Sequence, residues 1–423
     1  MDSMETHETA RQGFNQPMRS GVNRDSALAV RLPMLFLAGR LMLLISLPLE
    51  GLRGYGDFVH FFHLAAMGWP FVDYWVEFPP VFPFLSSLLF RLSGGRQQAY
   101  DILLALLLSL AQAGSLAIFV RLSQRMHAGE TARRRSLVYF VLLLALPYGW
   151  WYFDPLAVLA TLLALEWLLD SHDELAGLAL AIGGLIKLFP LIGLALAWRL
   201  RSAREALLLT LLALGLPLAI YGMLYLASPQ LTIASLRSQA SKGSWETSWA
   251  LLDGNFNTGN FGPESERFDP AAATLPTGNP ARISPWLALV PFAVLGGWFF
   301  KRTRITTEEP EASARRAAAF LGLAWALFLL WSPGWSPQWV LYLLPLILLT
   351  LPERVSVLMS LAFVFINLLE WPVLLSRGLF WGLWLTIPVR TCLFILLIVA
   401  LVDSIKTIHE FDLRQILKWK LSL

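Results

Sequence analysis

The sequence contains few of the residues on which soluble enzymes and redox proteins depend. Only one of its 423 residues is a cysteine, Cys392, which excludes a disulfide within the chain and a metal site built from cysteines. Charged residues make up 15% of the chain, whereas hydrophobic residues make up 56% and the mean hydropathy is +0.58. A soluble domain of this length does not have such a composition, so most of the chain must lie in a lipid bilayer.

Both ends of the chain lack long apolar runs. Residues 1–26 are polar and have no apolar core of the kind that a cleavable signal sequence needs, so we expect a disordered cytoplasmic tail. Residues 403–423 alternate apolar and basic side chains at roughly helical spacing, which predicts an amphipathic helix on the inner leaflet. Between these tails lies the predicted transmembrane domain, residues 27–402.

The positive charge of the chain is distributed in short runs between apolar segments. The net charge is +4 and the pI is about 9.3, but these runs do not form the soluble basic face that nucleic-acid binding needs. Many of the 18 tryptophans adjoin proline, glycine or a charge, which is typical of membrane interfaces. We therefore expect membrane lipids as partners, and no nucleic acid.

The basic runs predict how the chain crosses the bilayer. The positive-inside rule places the basic residues of segments 121–135, 199–204 and 301–316 in the cytoplasm. These three segments share one side only if residues 79–92 form a half-helix on the outer surface and residues 174–200 form a hairpin of two short helices. Both termini are then cytoplasmic, in a multi-pass protein of the cell membrane.

The predicted fold is an all-α, polytopic bundle of about twelve spans, with juxtamembrane helices on the outer surface in the first loop. The predicted spans are residues 31–49, 99–121, 136–150, 155–170, 174–186, 189–200, 205–227, 284–300, 316–332, 337–351, 355–370 and 379–402. The outer side receives two long loops, residues 50–98 and 228–283, and several short turns. These outer segments hold the polar and aromatic motifs, so we expect any chemistry to take place there.

Asp57 follows the first span and lies between Gly56 and an amphipathic stretch that begins at Phe58. A carboxylate held there, partly desolvated by aromatic neighbours, could act as a general base on a hydroxyl group. An N-capping role for the following helix suits the residue equally well. The sequence leaves both interpretations open.

Four other charged residues occupy positions that favour ligand binding, and each also has a structural interpretation. Glu77 precedes two prolines and could contact a sugar or begin a helix. Asp154 could face the substrate cavity or cap the helix that it begins. Lys187 lies at the apex of the hairpin, where it could bind a lipid phosphate or extend to the interface. Arg390 lies inside the last span and needs an internal carboxylate, such as Glu370 or Asp154, or a substrate phosphate.

Several short motifs occur in a fixed order along the chain. They are Asp57 in the first outer loop, Gly68-Trp-Pro-Phe-x-x-Tyr74, Glu77-Phe-Pro-Pro80, the turn at Asp154, Lys187-Leu-Phe-Pro190 and Ser336-Pro-Gln-Trp-x-x-Tyr-Leu-Leu-Pro345. In this order they resemble the motifs of the GT-C glycosyltransferases. Within that superfamily the chain is most similar to the polyprenol-phosphate-mannose-dependent mannosyltransferases and the GPI mannosyltransferase I type, over about residues 31–400.

The resemblance implies an enzyme that moves a hexose, mannose in these families, from a polyprenyl-phosphate-linked donor to a hydroxyl of a glycan or glycolipid acceptor. Transfer would take place on the non-cytoplasmic side, with inversion of the anomeric centre. Asp57 would be the general base or an acceptor-orienting carboxylate, Lys187 and Arg390 would hold the donor phosphate, and Glu77 and Gln338 would contact substrate.

Many relatives carry two adjacent acids in the first loop, whereas Phe58 follows Asp57 here. We expect no cofactor, and the sequence does not support a divalent metal.

Other functions remain open at this stage. A transporter or flippase of a lipid-linked saccharide would also have many spans, although transporters tend to have related halves and this sequence shows no internal repeat. A polymerase or ligase of lipid-linked glycans would share the large outer loop. A non-catalytic assembly subunit would not need a carboxylate beside an outward cavity.

Overall fold

A computed structural model describes residues 27–256, 261–275 and 277–405 of the chain. The regular secondary structure of these segments is helical, with two isolated β-bridges. The predicted cytoplasmic tail of residues 1–26 lies outside the described residues, as does most of the predicted amphipathic segment 403–423.

The α-helices vary in length from 4 to 30 residues. In chain order they are α1 (Leu28–Ser46), α2 (Glu50–Arg53), α3 (Phe58–Ala66), α4 (Val81–Leu92), α5 (Gln97–Met126), α6 (Gly129–Ala145), α7 (Tyr148–Trp151), α8 (Asp154–Leu169), α9 (Asp173–Ile186), α10 (Gly193–Leu200), α11 (Ala203–Ala227), α12 (Pro229–Ser241), α13 (Ser248–Asp253), α14 (Pro285–Arg302), α15 (Pro310–Trp331), α16 (Val340–Thr350), α17 (Glu353–Leu368) and α18 (Leu383–Ile405). Short 3₁₀ turns and one π-helical turn, Leu369–Leu374, connect several of them.

Helix boundaries follow local sequence signals. Ser202 and Glu205 form a complete capping box in front of α11, which satisfies two backbone N–H groups at its start. Pro285 and Pro310 are the first residues of α14 and α15, where a missing N–H costs no helical hydrogen bond.

Within the described residues, six helical segments are long and apolar enough to cross a bilayer. They are Leu28–Ser46, Gln97–Met126, Ala203–Ala227, Pro310–Trp331, Glu353–Arg377 and Phe380–Ile405. The all-helical architecture is thus confirmed, and six such helices are compatible with a membrane protein. The other predicted spans coincide with helices of 8 to 18 residues, so the count of twelve remains a prediction.

The two segments whose topology was predicted from charge, the outer half-helix 79–92 and the hairpin 174–200, are built from short helices. Residues 79–92 contain the 12-residue α4. In the segment 174–200, α9 ends at Ile186 and the chain reverses through a 3₁₀ turn before α10. A Cβ on Gly183 would lie 2.7 Å from Pro190 Cβ, so only glycine there lets the turn fold back so closely against α9.

The basic residues of the predicted cytoplasmic loops have partners at one end of the bundle. Arg121 and Arg201 form 2.6 Å ion pairs with Glu166 and Asp173. The guanidinium of Arg135 donates hydrogen bonds to the carbonyls at the end of α16, which have no partner within that helix. These contacts join the ends of neighbouring helices.

Arg40 is a buried cation within α1 that the sequence patterns did not single out. Its guanidinium donates to the Gln112 side chain at 3.0 Å and to the Leu143 carbonyl at 2.6 Å, and it stacks 4.4 Å from the Trp150 ring. Gln112 in turn donates to the Gly149 carbonyl at 2.8 Å. Arg40 thereby fixes the turn between α6 and α8, which supports the candidate site.

Candidate functional site

Three aromatic side chains fix the segment before α3 at what we call the loop end of the bundle, the end that carries residues 47–96 and 228–284. Trp371 and Tyr152 both donate hydrogen bonds to the Tyr55 carbonyl, at 2.9 and 3.2 Å. The Tyr55 ring lies 5.3 Å from the Trp151 ring. The first loop is therefore held against turns that are distant in sequence.

Gly56 permits the closest approach in this region. A Cβ at this position would lie 2.4 Å from Trp151 Cβ and 2.6 Å from Trp151 Cα. Both distances are too short for non-bonded atoms, so only glycine fits here. The Asp57 N–H donates a 3.0 Å hydrogen bond to the Trp151 carbonyl. The backbone of residues 56 and 57 is thus pressed against α7.

The Asp57 carboxylate does not cap α3. Asp57 occupies the N-cap position, but its side chain accepts no capping hydrogen bond, and it has no hydrogen-bonding or ion-pair partner elsewhere among the described residues. Burial raises its pKa to about 6, although the nearby charges of His60, Lys187 and Lys242 lower it. Of the two interpretations of Asp57, this geometry favours a carboxylate that is available for chemistry.

Glu77 lies in a buried ion pair that joins the two long loops. Both of its carboxylate oxygens accept hydrogen bonds from the Arg267 guanidinium, which also stacks 4.1 Å from the Trp75 ring. Burial alone would raise the pKa of Glu77, but the His60 imidazole and the Arg267 charge outweigh it and hold that pKa well below its usual range. Glu77 is therefore ionised and already paired.

Two histidines of α3 attach it to the second loop. His60 Nδ1 lies 2.8 Å from Glu264 Oε1, and His63 Nδ1 lies 3.1 Å from Glu264 Oε2. Burial lowers the pKa of His60, but the Glu77 and Glu264 carboxylates outweigh it and raise that pKa above its usual value. In the segments that the structure describes, no group of three or more His, Cys, Asp or Glu side chains could hold a metal ion, so the residues around Asp57 do not fit one.

Lys187 lies among aromatic rings and pairs with Asp154. Its Nζ is 2.7 Å from Asp154 Oδ1 and between 5.2 and 5.5 Å from the centroids of Phe153, Phe189 and Trp339. Asp154 is buried, and its Oδ2 has no hydrogen-bond partner in the described part of the chain. The lysine charge is therefore largely balanced within the protein.

Gln338 lies next to this cluster, one residue before Trp339. It is 8% exposed, and its Oε1 has no hydrogen-bond partner within the described segments. A buried amide oxygen without a partner is costly unless a ligand or water reaches it. Gln338 therefore offers a hydrogen-bond acceptor next to Trp339, one of the aromatic rings around Lys187.

Arg390 occupies a second cluster, and its partner is the first of those that the sequence suggested. Its guanidinium donates two 2.6 Å hydrogen bonds to the Glu370 carboxylate and one to the Glu246 carbonyl, and it stacks 5.0 Å from the Trp335 ring. Burial and the Glu370 charge raise the pKa of the Glu246 carboxyl well above its usual range. Arg390 thereby connects α18 to the second loop.

The sequence patterns did not distinguish Lys242 from the other polar residues of the second loop. Its Nζ lies 5.5 Å from the Trp245 centroid and 5.6 Å from the Phe261 centroid. Burial lowers its pKa, as do the charges of Lys187 and Arg267, whereas Glu77 and Asp57 raise it. The structure thus groups Asp57, Glu77, Lys187 and Lys242, which come from three distant parts of the chain.

Comparison with known proteins yields a distant structural likeness. No protein-family model and no curated protein matches the sequence. The structure is similar to the apo form of the oligosaccharyltransferase of Archaeoglobus fulgidus, with a TM-score of 0.40 and 12% sequence identity. The match covers 89% of this chain and 56% of that one, so the chain spans about half the length of the archaeal protein. The proposals below rest on the geometry of the site.

Proposed function

We propose that this protein is an integral membrane glycosyltransferase. It moves a hexose, with mannose as the first candidate, from a polyprenyl-phosphate-linked donor to a hydroxyl of a glycan or glycolipid acceptor on the non-cytoplasmic side. The observation that carries the proposal is the Asp57 carboxylate, which has no direct partner among the described residues and has a pKa of about 6. A general base works best when its pKa lies near the pH at which the enzyme operates.

The proposed reaction is an inverting displacement at the anomeric carbon. The acceptor oxygen forms the new bond to this carbon while the bond from the carbon to the phosphate oxygen breaks. Asp57 accepts the proton of the acceptor hydroxyl, and the polyprenyl phosphate departs as an anion whose charge needs stabilisation. Asp57 must be ionised at the start of this step, and a pKa of about 6 satisfies that at neutral pH.

The other predicted site residues divide into two groups under this proposal. Gln338 has a buried amide oxygen without a partner and is suited to contact a sugar hydroxyl directly. Glu77, Asp154 and Arg390 have buried ionic partners of their own. Because their charges are already paired, we expect them to position loops rather than to bind substrate. Lys187 is paired with Asp154 in the same way and lies beside the rings of Phe153, Phe189 and Trp339.

The decisive experiment measures hexose transfer from a radiolabelled polyprenyl-phosphate hexose by the purified full-length protein. Asp57→Asn keeps the size of the side chain but removes the base, and we expect kcat to fall about 10²- to 10⁴-fold. Glu266→Gln is the matched control, because Glu266 is an exposed acid of the second loop without an ion pair among the described residues. Its activity should equal that of the wild type.

Two results would contradict the proposal. One is equal transfer by the wild type and Asp57→Asn, which would remove Asp57 from the reaction. The other is movement of the intact lipid-linked saccharide across proteoliposomes by a wild type that transfers no sugar. That second result would identify a flippase instead.

A further inference from the structure

Among the cations grouped around Asp57, Lys242 is distinguished by its lack of a direct acidic partner. Lys187 pairs with Asp154, Arg267 with Glu77 and His60 with Glu264. Lys242 contacts only aromatic rings, and no carboxylate in the described segments lies within ion-pair distance of its Nζ.

The position of Lys242 makes this lack of a partner costly. The side chain is half-buried, and its Nζ lies over the faces of Trp245 and Phe261, which attract a cation but do not neutralise it. A partly desolvated ammonium gains most from an anion that approaches its open side. Lys242 and Asp57 therefore share one feature: neither has a direct ion pair among the described residues, and they act on each other only at longer range.

Lys242 also lines a cleft between the second loop and the helices α14 and α15. Its walls include Ser244, Trp249 and Asp253 on the loop side and Ala288 and Trp331 on the helix side. The Asp253 carboxylate accepts hydrogen bonds from the Ser244 hydroxyl at 2.6 Å and the Arg282 N–H at 2.8 Å, so part of its charge is already satisfied.

The helix α14 extends from this cleft with an apolar surface. Trp286, Leu287, Val290 and Val294 are all more than half exposed, and Ala288 is the helix's buried residue. An apolar helix face beside a cleft lined by Lys242 matches a molecule with an anionic head and a hydrocarbon chain. A free inorganic anion would use the cleft but not the helix.

We propose that the cleft beside Lys242 is the phosphate site of this protein, with Lys242 contacting the phosphate of a polyprenyl phosphate whose lipid chain lies along α14. The assignment rests on the function proposed above and names the residue that receives the departing phosphate. It transfers this role from Lys187 and Arg390, whose charges Asp154 and Glu370 already balance, to a residue that has no direct ion pair among the described residues.

The test measures binding without catalysis. Purified protein in detergent micelles is titrated with farnesyl phosphate, with its neutral analogue farnesol and with inorganic phosphate. Lys242→Met keeps the apolar contacts of the stem and removes the charge, and it should weaken farnesyl phosphate binding about ten- to a hundredfold. Lys242→Arg should restore most of the affinity, and farnesol binding should not respond to either variant.

The control is Arg237→Gln, because Arg237 is an exposed cation of α12 in the same loop and should leave binding unchanged. Competition by inorganic phosphate as strong as that by farnesyl phosphate would assign the site to the free anion rather than the lipid. Equal binding by Lys242→Met and the wild type, with unchanged thermal unfolding, would overturn the inference.

The inference and the proposed function fail separately. Loss of transfer in Asp57→Asn together with normal phosphate binding by Lys242→Met would leave the enzyme proposal intact and remove Lys242 from it. Binding that depends on Lys242 in a protein that transfers no hexose would leave the phosphate site intact and remove the glycosyltransferase.

Discussion

The N–H of Asp57 donates a 3.0 Å hydrogen bond to the carbonyl of Trp151, 94 residues further along the chain. This single contact fixes the backbone of the candidate base against the turn that precedes α8. The same α8 begins with Asp154, the partner of Lys187. The position of Asp57 therefore depends on packing between parts of the chain that are distant in sequence.

Gly56→Ala should reduce activity without unfolding the protein. The new Cβ would need the space of Trp151 Cβ, 2.4 Å away, so the backbone would move and carry Asp57 with it. We expect kcat for hexose transfer to fall about tenfold to a hundredfold, as for other small displacements of catalytic groups. Gly54→Ala is the control, since its nearest neighbour would be Glu50 O at 3.5 Å, an ordinary contact. Equal losses in both variants would contradict the role of Gly56.

The transfer rate should depend on pH through Asp57. Burial raises the pKa of this carboxyl to about 6, and the base must be deprotonated to accept a proton. Activity should therefore be complete above that value and fall about tenfold per pH unit below it. The check is kcat/KM as a function of pH, with far-ultraviolet circular dichroism to show that the fold persists. A rate that stays constant well below pH 6 would exclude Asp57 as the base.

The buried pair of Glu77 and Arg267 should contribute to stability mainly through the cost of breaking it. Arg267→Met leaves an ionised carboxylate without its partner, so the free energy of unfolding should fall by about 3–5 kcal/mol. Replacing both residues by methionine should recover most of that loss. The matched control is Arg133→Gln, which breaks the exposed pair with Glu130 and should cost less than about 1 kcal/mol. Reversible unfolding in mixed micelles measures all three, and equal losses in the single and double variants would contradict the prediction.

The predicted orientation can be tested by labelling single cysteines in intact cells, in a Cys392→Ser background. Ser265→Cys lies in the second long loop and Glu130→Cys lies in the first turn of α6, and both positions are exposed. We expect a membrane-impermeant maleimide to label the first from outside and the second only after permeabilisation, because the arginines near Glu130 favour the cytoplasm. Labelling of Glu130→Cys from outside would reverse the orientation.

The sequence by itself determined the helical architecture and the positions of most helices. Apolar composition and the positive-inside rule operate locally, so the segment 174–200 could be divided into two short helices without knowledge of its contacts. The sequence predicted less well which helices are long enough to cross the bilayer, because this depends on the packing of a helix against its neighbours as well as on its own composition. The sequence predicted all twelve spans alike, and only the structure of the described residues separated six long apolar helices from the shorter ones.

Charge partners, by contrast, were decided by the tertiary structure. Sequence patterns left open whether Glu370, Asp154 or a phosphate is the partner of Arg390, and the fold brings Glu370 to 2.6 Å. The sequence singled out Lys187 and not Lys242 as a phosphate-binding candidate, whereas the fold supplies Asp154 to Lys187 and only aromatic rings to Lys242. Side chains far apart in the sequence come into contact only after the helices associate. In a medium of low dielectric constant these contacts determine which charges form ion pairs within the protein and which remain available to a ligand.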